Sequence, residues 1–101
     1  MAIVETSIVP LGTGDTSISH YVAACHRILQ AENRVNYELT AMGTIIEGDL
    51  DIILDVIRRM HEVPFESGAL RVSTTIKIDD RRDRRASMAG KTQAVTDKLK
   101  K

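Results

Sequence analysis

Glu38, Thr40, Thr44 and Glu47 cluster on either side of Met42-Gly43, and with Ser7 near the N-terminus they are the side chains best equipped for chemistry in this chain. Carboxylates accept hydrogen bonds from amines, and hydroxyls both donate and accept, so such a set suits recognition of a polar ring. It does not suit catalysis. No nucleophile, base and orienting group can be assembled from the sequence, and no hydrolase elbow is present.

Other constellations carry less. Gly12-Thr13-Gly14 ahead of a helix is a possible anion cradle, but it lacks the GxGxxG and Walker spacings and reads as a turn. His20, Cys25, His26 and His61 include no pair at i, i+4 and no CxxC, so no metal site is expected. Arg81-Arg82-Asp83-Arg84-Arg85 is basic but lacks interleaved aromatics, which favours a solvated helix start over a nucleic-acid contact. Arg84-Arg85-Ala86-Ser87 has the look of a phosphorylation site, on weak grounds.

The elements that must position the polar cluster follow from periodicity. Val35, Tyr37 and Leu39 alternate with Asn36, Glu38 and Thr40, the period of a half-buried strand. Gly43 permits a turn, Thr44-Ile45-Ile46-Glu47 returns as a second strand, and Gly48 ends it. On this alternation Tyr37 shares a face with Val35 and Leu39, so a core role stands beside a ligand-facing one.

Ala2 to Val9 forms the first strand, with Val4, Thr6 and Ile8 on one face and Ile3, Glu5, Ser7 and Val9 on the other. Pro10 is expected to stop its pairing. Ile18, Val22, Cys25 and Leu29 make one stripe of a helix capped by Thr16 or Ser17. A second helix, capped by Asp49 and running to about His61, buries Leu50, Ile53, Ile57 and Met60, with Arg58, Arg59 and His61 at its negative end. Pro64 and Gly68 bracket a loop. Ala69 to Asp79 then alternates as a long strand, placing Leu70, Val72, Thr74, Ile76 and Ile78 opposite Arg71, Ser73, Thr75, Lys77 and Asp79. Met88, Thr92, Val95 and Leu99 give a loosely docked C-terminal helix within about 82–100, interrupted by Gly90.

The order β-α-β-β-α-β plus a C-terminal helix predicts an α+β fold of the ferredoxin-like kind, a single domain over 1–101, with both long helices on one face of a four-stranded antiparallel sheet. The other face carries Glu5, Ser7, Glu38, Thr40, Arg71, Ser73, Thr75 and Lys77 with Ile3 and Val9, and is suited to a partner or ligand. For Glu5 and Glu38, a solvated strand or an ion pair across chains with Arg71 or Lys77 stands beside a ligand role.

Composition sets outer bounds. The chain has 101 residues, of which 43% are hydrophobic and 28% charged, with 14 basic residues against 14 acidic, as befits a globular protein without net charge. No global basic field exists to attract nucleic acid, and self-association meets no large electrostatic barrier. Cys25 is the single cysteine, so no intrachain disulfide forms; it reads as a small core side chain in a reducing compartment. No apolar run is long enough to span a bilayer, and Met1-Ala2-Ile3-Val4-Glu5 lacks the basic start of a secretory signal, which predicts a cytoplasmic placement.

Ser7-Ile8-Val9-Pro10-Leu11-Gly12-Thr13-Gly14, the Tyr37-to-Gly48 stretch with Met42-Gly43-Thr44 and Glu47-Gly48, and Arg71-Val72-Ser73-Thr74 together resemble the small YkoF-like proteins of the thiamine-binding family. The resemblance covers nearly the whole chain. It implies a ferredoxin-like fold, assembly through sheet faces into dimers or tetramers, and binding of thiamine or its hydroxymethylpyrimidine portion without catalysis and without a cofactor. Thiamine joins a permanently charged thiazolium to an aminopyrimidine, so its site needs carboxylates or hydroxyls and an apolar or aromatic wall. The residues expected to bind it are Ser7, Tyr37, Glu38, Thr40, Gly43, Thr44 and Glu47, with Glu5 as a further polar candidate and Met42 sharing the wall with Tyr37. A structural or regulatory oligomer with no small-molecule ligand is the alternative.

Overall fold

The computed structural model describes residues 1–12, 14, 19–83 and 88–99. The expected cap at Thr16 or Ser17, together with Thr13, Ile18 and the Arg84-to-Ser87 run, lies outside them. In chain order the elements are β1 (Ala2–Leu11), α1 (Ser19–Gln30), β2 (Asn36–Thr40), β3 (Gly43–Gly48), α2 (Leu50–Glu66), β4 (Arg71–Asp80) and α3 (Met88–Leu99). All strand pairs are antiparallel and the sheet order is β2-β3-β1-β4, which is the ferredoxin-like α+β arrangement.

Registry sorts the side chains by face. Val4 pairs with Ile46 and Ile78, and Tyr37 pairs with Ile46, so these residues point to the side where α1 and α2 pack. The core joins Ala2, Val4, Val35 and Ile46 to Cys25 and Leu29 of α1 and to Ile53, Val56, Ile57 and Met60 of α2. Each large aliphatic side chain withdrawn from water contributes about 1.5–3 kcal/mol, so this layer is the main source of stability. Tyr37 packs against the core, on the face opposite Glu38. The two helices leave part of both edge strands uncovered. Ile76 and Ile78 on β4 and Leu39 on β2 share the helix-side face yet stay roughly half exposed, and Leu70 precedes β4 fully in solvent. Tyr21 of α1, absent from the expected apolar stripe, is buried.

Two prolines behave differently from their sequence reading. β1 continues through Pro10, which pairs with Val72, as far as Leu11 opposite Arg71. The pairing of β1 with β3 ends at Thr6, so Pro10 lies where β1 has lost one neighbour and a residue without N–H is tolerated. α2 likewise runs through Pro64 to Glu66 instead of ending near His61, which leaves Arg58 and Arg59 in the helix interior. A proline there deprives the carbonyl four residues earlier, that of Met60, of its donor. The Cys25 thiol donates to this carbonyl at 3.4 Å from α1. Pro64 is itself fully buried, and the helix closes beyond it through Ser67 N–H to Val63 and Ala69 N–H to Pro64, with Gly68 at φ 99°. At the other end Asp49 accepts from the Asp51 amide at 2.9 Å, the expected cap.

Candidate functional site: a cavity beneath α1

The ladder between β1 and β3 stops at the pair Thr6 and Thr44, while β1 and β4 stay paired to Leu11 and Arg71. This mismatch leaves a step in the sheet beside the β2–β3 turn. The step is roofed by α1 and holds an open cavity of about 170 Å³. Its floor is Thr6, Ser7, Ile8 and Val9 of β1; one wall is Leu39 to Thr44; the roof is Val22, Cys25 and His26 of α1, with Met60 of α2 behind.

Gly43 is required for this wall. A Cβ there would sit 2.7 Å from the Thr6 carbonyl oxygen, inside any tolerable contact, so the hairpin can close on β1 only with glycine. The turn is held by the Thr40 hydroxyl, which donates to the Gly43 carbonyl at 2.8 Å and accepts from the Met42 amide at 3.3 Å. The Thr6 hydroxyl donates to the Thr75 carbonyl at 2.9 Å across the sheet. Met42 is 86% exposed and stands at the cavity mouth.

The lining is uncharged. It offers threonine and serine hydroxyls, a thiol, an imidazole, a thioether and aliphatic groups, with no carboxylate, lysine or arginine. Burial pushes the Cys25 thiol up from its ordinary pKa, which keeps it protonated as the donor to Met60 and unsuited to nucleophilic attack. The His26 ring meets Tyr37 edge to face, with centroids 5.1 Å apart at 84°, and its buried Nδ1 has no hydrogen-bond partner. Among the described residues no three His, Cys, Asp or Glu side chains converge as metal ligands would, and no helix is long and apolar enough to cross a membrane.

The cavity therefore brings together Ser7, Thr40, Gly43 and Thr44, and Tyr37 touches it only through His26. Glu38 and Glu47 lie elsewhere, on the opposite sheet face. Glu38 is exposed opposite Ile45, in one row with Glu5 and Lys77. Glu47 accepts from the Asn36 side chain at 3.0 Å and from the Met88 amide at 2.7 Å, so it anchors the first turn of α3. Thr6, Val22, Cys25, His26 and Met60 escaped the sequence reading as site residues. Their one sequence signal is that residues 22, 25 and 26 share a helix face, which core packing explains equally well.

The fold is that of a ferredoxin-like domain, with a small open cavity lined without carboxylate, lysine or arginine under α1. The chain belongs to the thiamine-binding protein family, whose model matches residues 4–96. It is 45% identical over 102 residues to the UPF0045 protein YqgV of Bacillus subtilis, covering 98% of each chain. A crystal structure of the hypothetical protein MJ1052 of Methanocaldococcus jannaschii superposes with TM-score 0.84 at 35% identity, covering 94% of this chain and 95% of that one. A Thermotoga maritima protein, TM0486, provisionally assigned to thiamine biosynthesis or salvage, shares the fold with TM-score 0.77 at 18% identity, over 93% of this chain and 97% of that one.

Proposed function

We propose that this protein is a noncatalytic, cytoplasmic binder of thiamine or its hydroxymethylpyrimidine part, acting as a homo-oligomer, with the pyrimidine ring in the cavity beneath α1. The observation that carries this reading is the match between cavity and ring. A cavity near 150 Å³ takes one benzene-sized molecule, whereas whole drug-sized ligands occupy about 300–1,000 Å³. The cavity of about 170 Å³ thus suits one six-membered ring and not both rings of thiamine. Its neutral hydroxyl-bearing wall favours the aminopyrimidine, because a thiazolium placed there would be a buried charge without a counter-ion. The thiazolium, when present, extends past Met42 into solvent. Ser7, Thr40 and Thr44 are the hydroxyl contacts, Gly43 keeps the wall open, and Tyr37 acts through His26. Glu38 and Glu47 serve the opposite face, where Glu38 is available to a second chain.

Isothermal titration with hydroxymethylpyrimidine, thiamine and thiamine phosphates tests this. The pyrimidine alone should bind within about tenfold of thiamine, since the second ring adds few buried contacts, and Thr44→Val should weaken both by a similar factor. Absence of heat and of any thermal shift at millimolar ligand would remove the binding function and leave the ligand-free oligomer in its place.

A further inference from the structure

We infer that the backbone of Ile8 reads the cavity's ligand, its N–H and C=O pairing with a planar ring that carries an amine beside a ring nitrogen. This rests on the cavity being the ligand site. In an antiparallel sheet both polar groups of one residue face the same neighbouring strand, and those of the next residue face the other. Two contacts fix the sides in β1. The Thr6 carbonyl oxygen lies so near Gly43 that a Cβ there would be 2.7 Å from it, so Thr6 faces β3. The Thr75 carbonyl, reached by the Thr6 hydroxyl at 2.9 Å, faces β1, which assigns its register partner Ser7 to β4. Ile8 therefore faces the β3 side, where the ladder has already ended at Thr6 and Thr44. A longer ladder would set Met42 opposite Ile8, but the Met42 amide turns to the Thr40 hydroxyl and no backbone hydrogen bond joins Met42 to Ile8. Both residues line the cavity, so the open edge of β1 looks across it.

The chemistry of the ligand is constrained by this edge. Ile8 offers one donor and one acceptor side by side, as a strand offers them to its neighbour, and a ligand matches them with the opposite pair. A ring nitrogen accepts from the N–H while the adjacent exocyclic amine donates to the C=O. An aminopyrimidine carries that pair on neighbouring atoms, and a thiazolium, alkylated on its ring nitrogen, does not. Pro10 faces the same side two residues on and has no N–H, so Ile8 supplies the last donor along this side of β1. Water meets such an edge when no ligand is bound, and a ligand that displaces it without replacing both hydrogen bonds loses affinity.

Amide exchange followed by NMR tests the edge itself. In wild type without ligand the Ile8 amide should exchange much faster than those of Ser7 and Val9, which pair with β4, and hydroxymethylpyrimidine should slow it selectively. Titration then compares hydroxymethylpyrimidine with two analogues, the pyridine that has CH in place of the ring nitrogen beside the amine, and the 4-dimethylamino compound. Wild type should prefer the parent by about tenfold over each, the worth of one hydrogen bond. Joining a synthetic segment 1–24 to 25–101 at Cys25 allows the Ile8 N–H to be replaced by an ester oxygen with the side chain kept. The ester protein should lose the preference over the pyridine and keep that over the dimethylamino compound. An Ile8 amide that is protected without ligand or unaffected by it, equal binding of the three compounds, or an ester protein with unchanged preferences overturns the role of Ile8 while leaving pyrimidine binding intact. Failure of wild type to bind any of the three overturns both.

Discussion

Glu32, two residues beyond α1, accepts from two nitrogens of the Arg34 guanidinium at 2.8 Å and from the Arg59 guanidinium of α2 at 3.1 Å. Its side chain is only 8% exposed, and the hydrogen bonds from Arg34, reinforced by Arg59, draw its pKa from the ordinary 4.5 to about 2. The sign follows from linkage. A carboxyl whose folded pKa lies below its unfolded value contributes stability that is complete above the unfolded value and vanishes as pH falls toward the folded one. The thermal midpoint should accordingly decline from about pH 5 to about pH 2. Glu32→Gln should melt lower than wild type at pH 7, and the two curves should converge near pH 2. A gap between them that stays constant across this range would assign Glu32 to packing alone. The Cys25 thiol illustrates the same dependence of a side chain on a distant neighbour, since it matters structurally because Pro64 leaves the Met60 carbonyl open.

Among the elements, α2 and α3 are opposites. α2 buries Ile53, Val56, Ile57, Met60 and Pro64, is capped by Asp49, and is tied to β4 by a 2.6 Å hydrogen bond between His61 Nδ1 and Thr74 Oγ1. α3 buries nothing. Its first turn hangs on Glu47 and on an ion pair between Lys91 and Asp79, while Val95 and Leu99 remain exposed. Gly90 adds a cost of about 1 kcal/mol relative to alanine. Amide exchange should therefore open α3 well before α2, with α2 approaching the protection of global unfolding. Glu47→Gln should speed exchange in α3 further and leave α2 unchanged. Equal protection of the two helices would show that α3 is covered in solution.

The molecule measures 50 × 28 × 20 Å, and its second sheet face is neither hydrophobic core nor plain solvent surface. Across it run Glu38, Ile45, Glu5 and Lys77 in one row and Ser7 with Thr75 in the next, flanked by Ile3 and Val9. We propose that this face pairs with a copy of itself, in the arrangement where a two-fold axis sets Glu5 or Glu38 of one copy against Lys77 of the other. Light scattering at micromolar concentration should give a dimer or tetramer that Lys77→Glu weakens. A monomer insensitive to salt would exclude assembly through this face. Because Lys77 does not line the cavity, Lys77→Glu should leave ligand affinity within about twofold unless a partner chain completes the site.

Local pattern determined much of this protein. Period-two alternation in β1, β2 and β4 assigned each residue to a face, the stripe of α2 with its Asp49 cap marked a helix start, and the order of elements fixed the sheet with two helices on one side. These features are set by neighbours in sequence, through backbone pleat, helical pitch and turn geometry, so they are readable there. The end of α2 was not, because the Met60 carbonyl that Pro64 leaves open is met by a thiol 35 residues away in the chain. Nor was the cavity. Ser7, Thr40, Gly43 and Thr44 were legible as polar or turn residues near one hairpin, but their union with Val22, Cys25 and His26, and the separation of Glu38 and Glu47 from them, follow from where the β1–β3 ladder stops and from how α1 crosses that step. Register and helix placement are decided by burial summed over the whole core, a long-range quantity that leaves no local trace in the sequence.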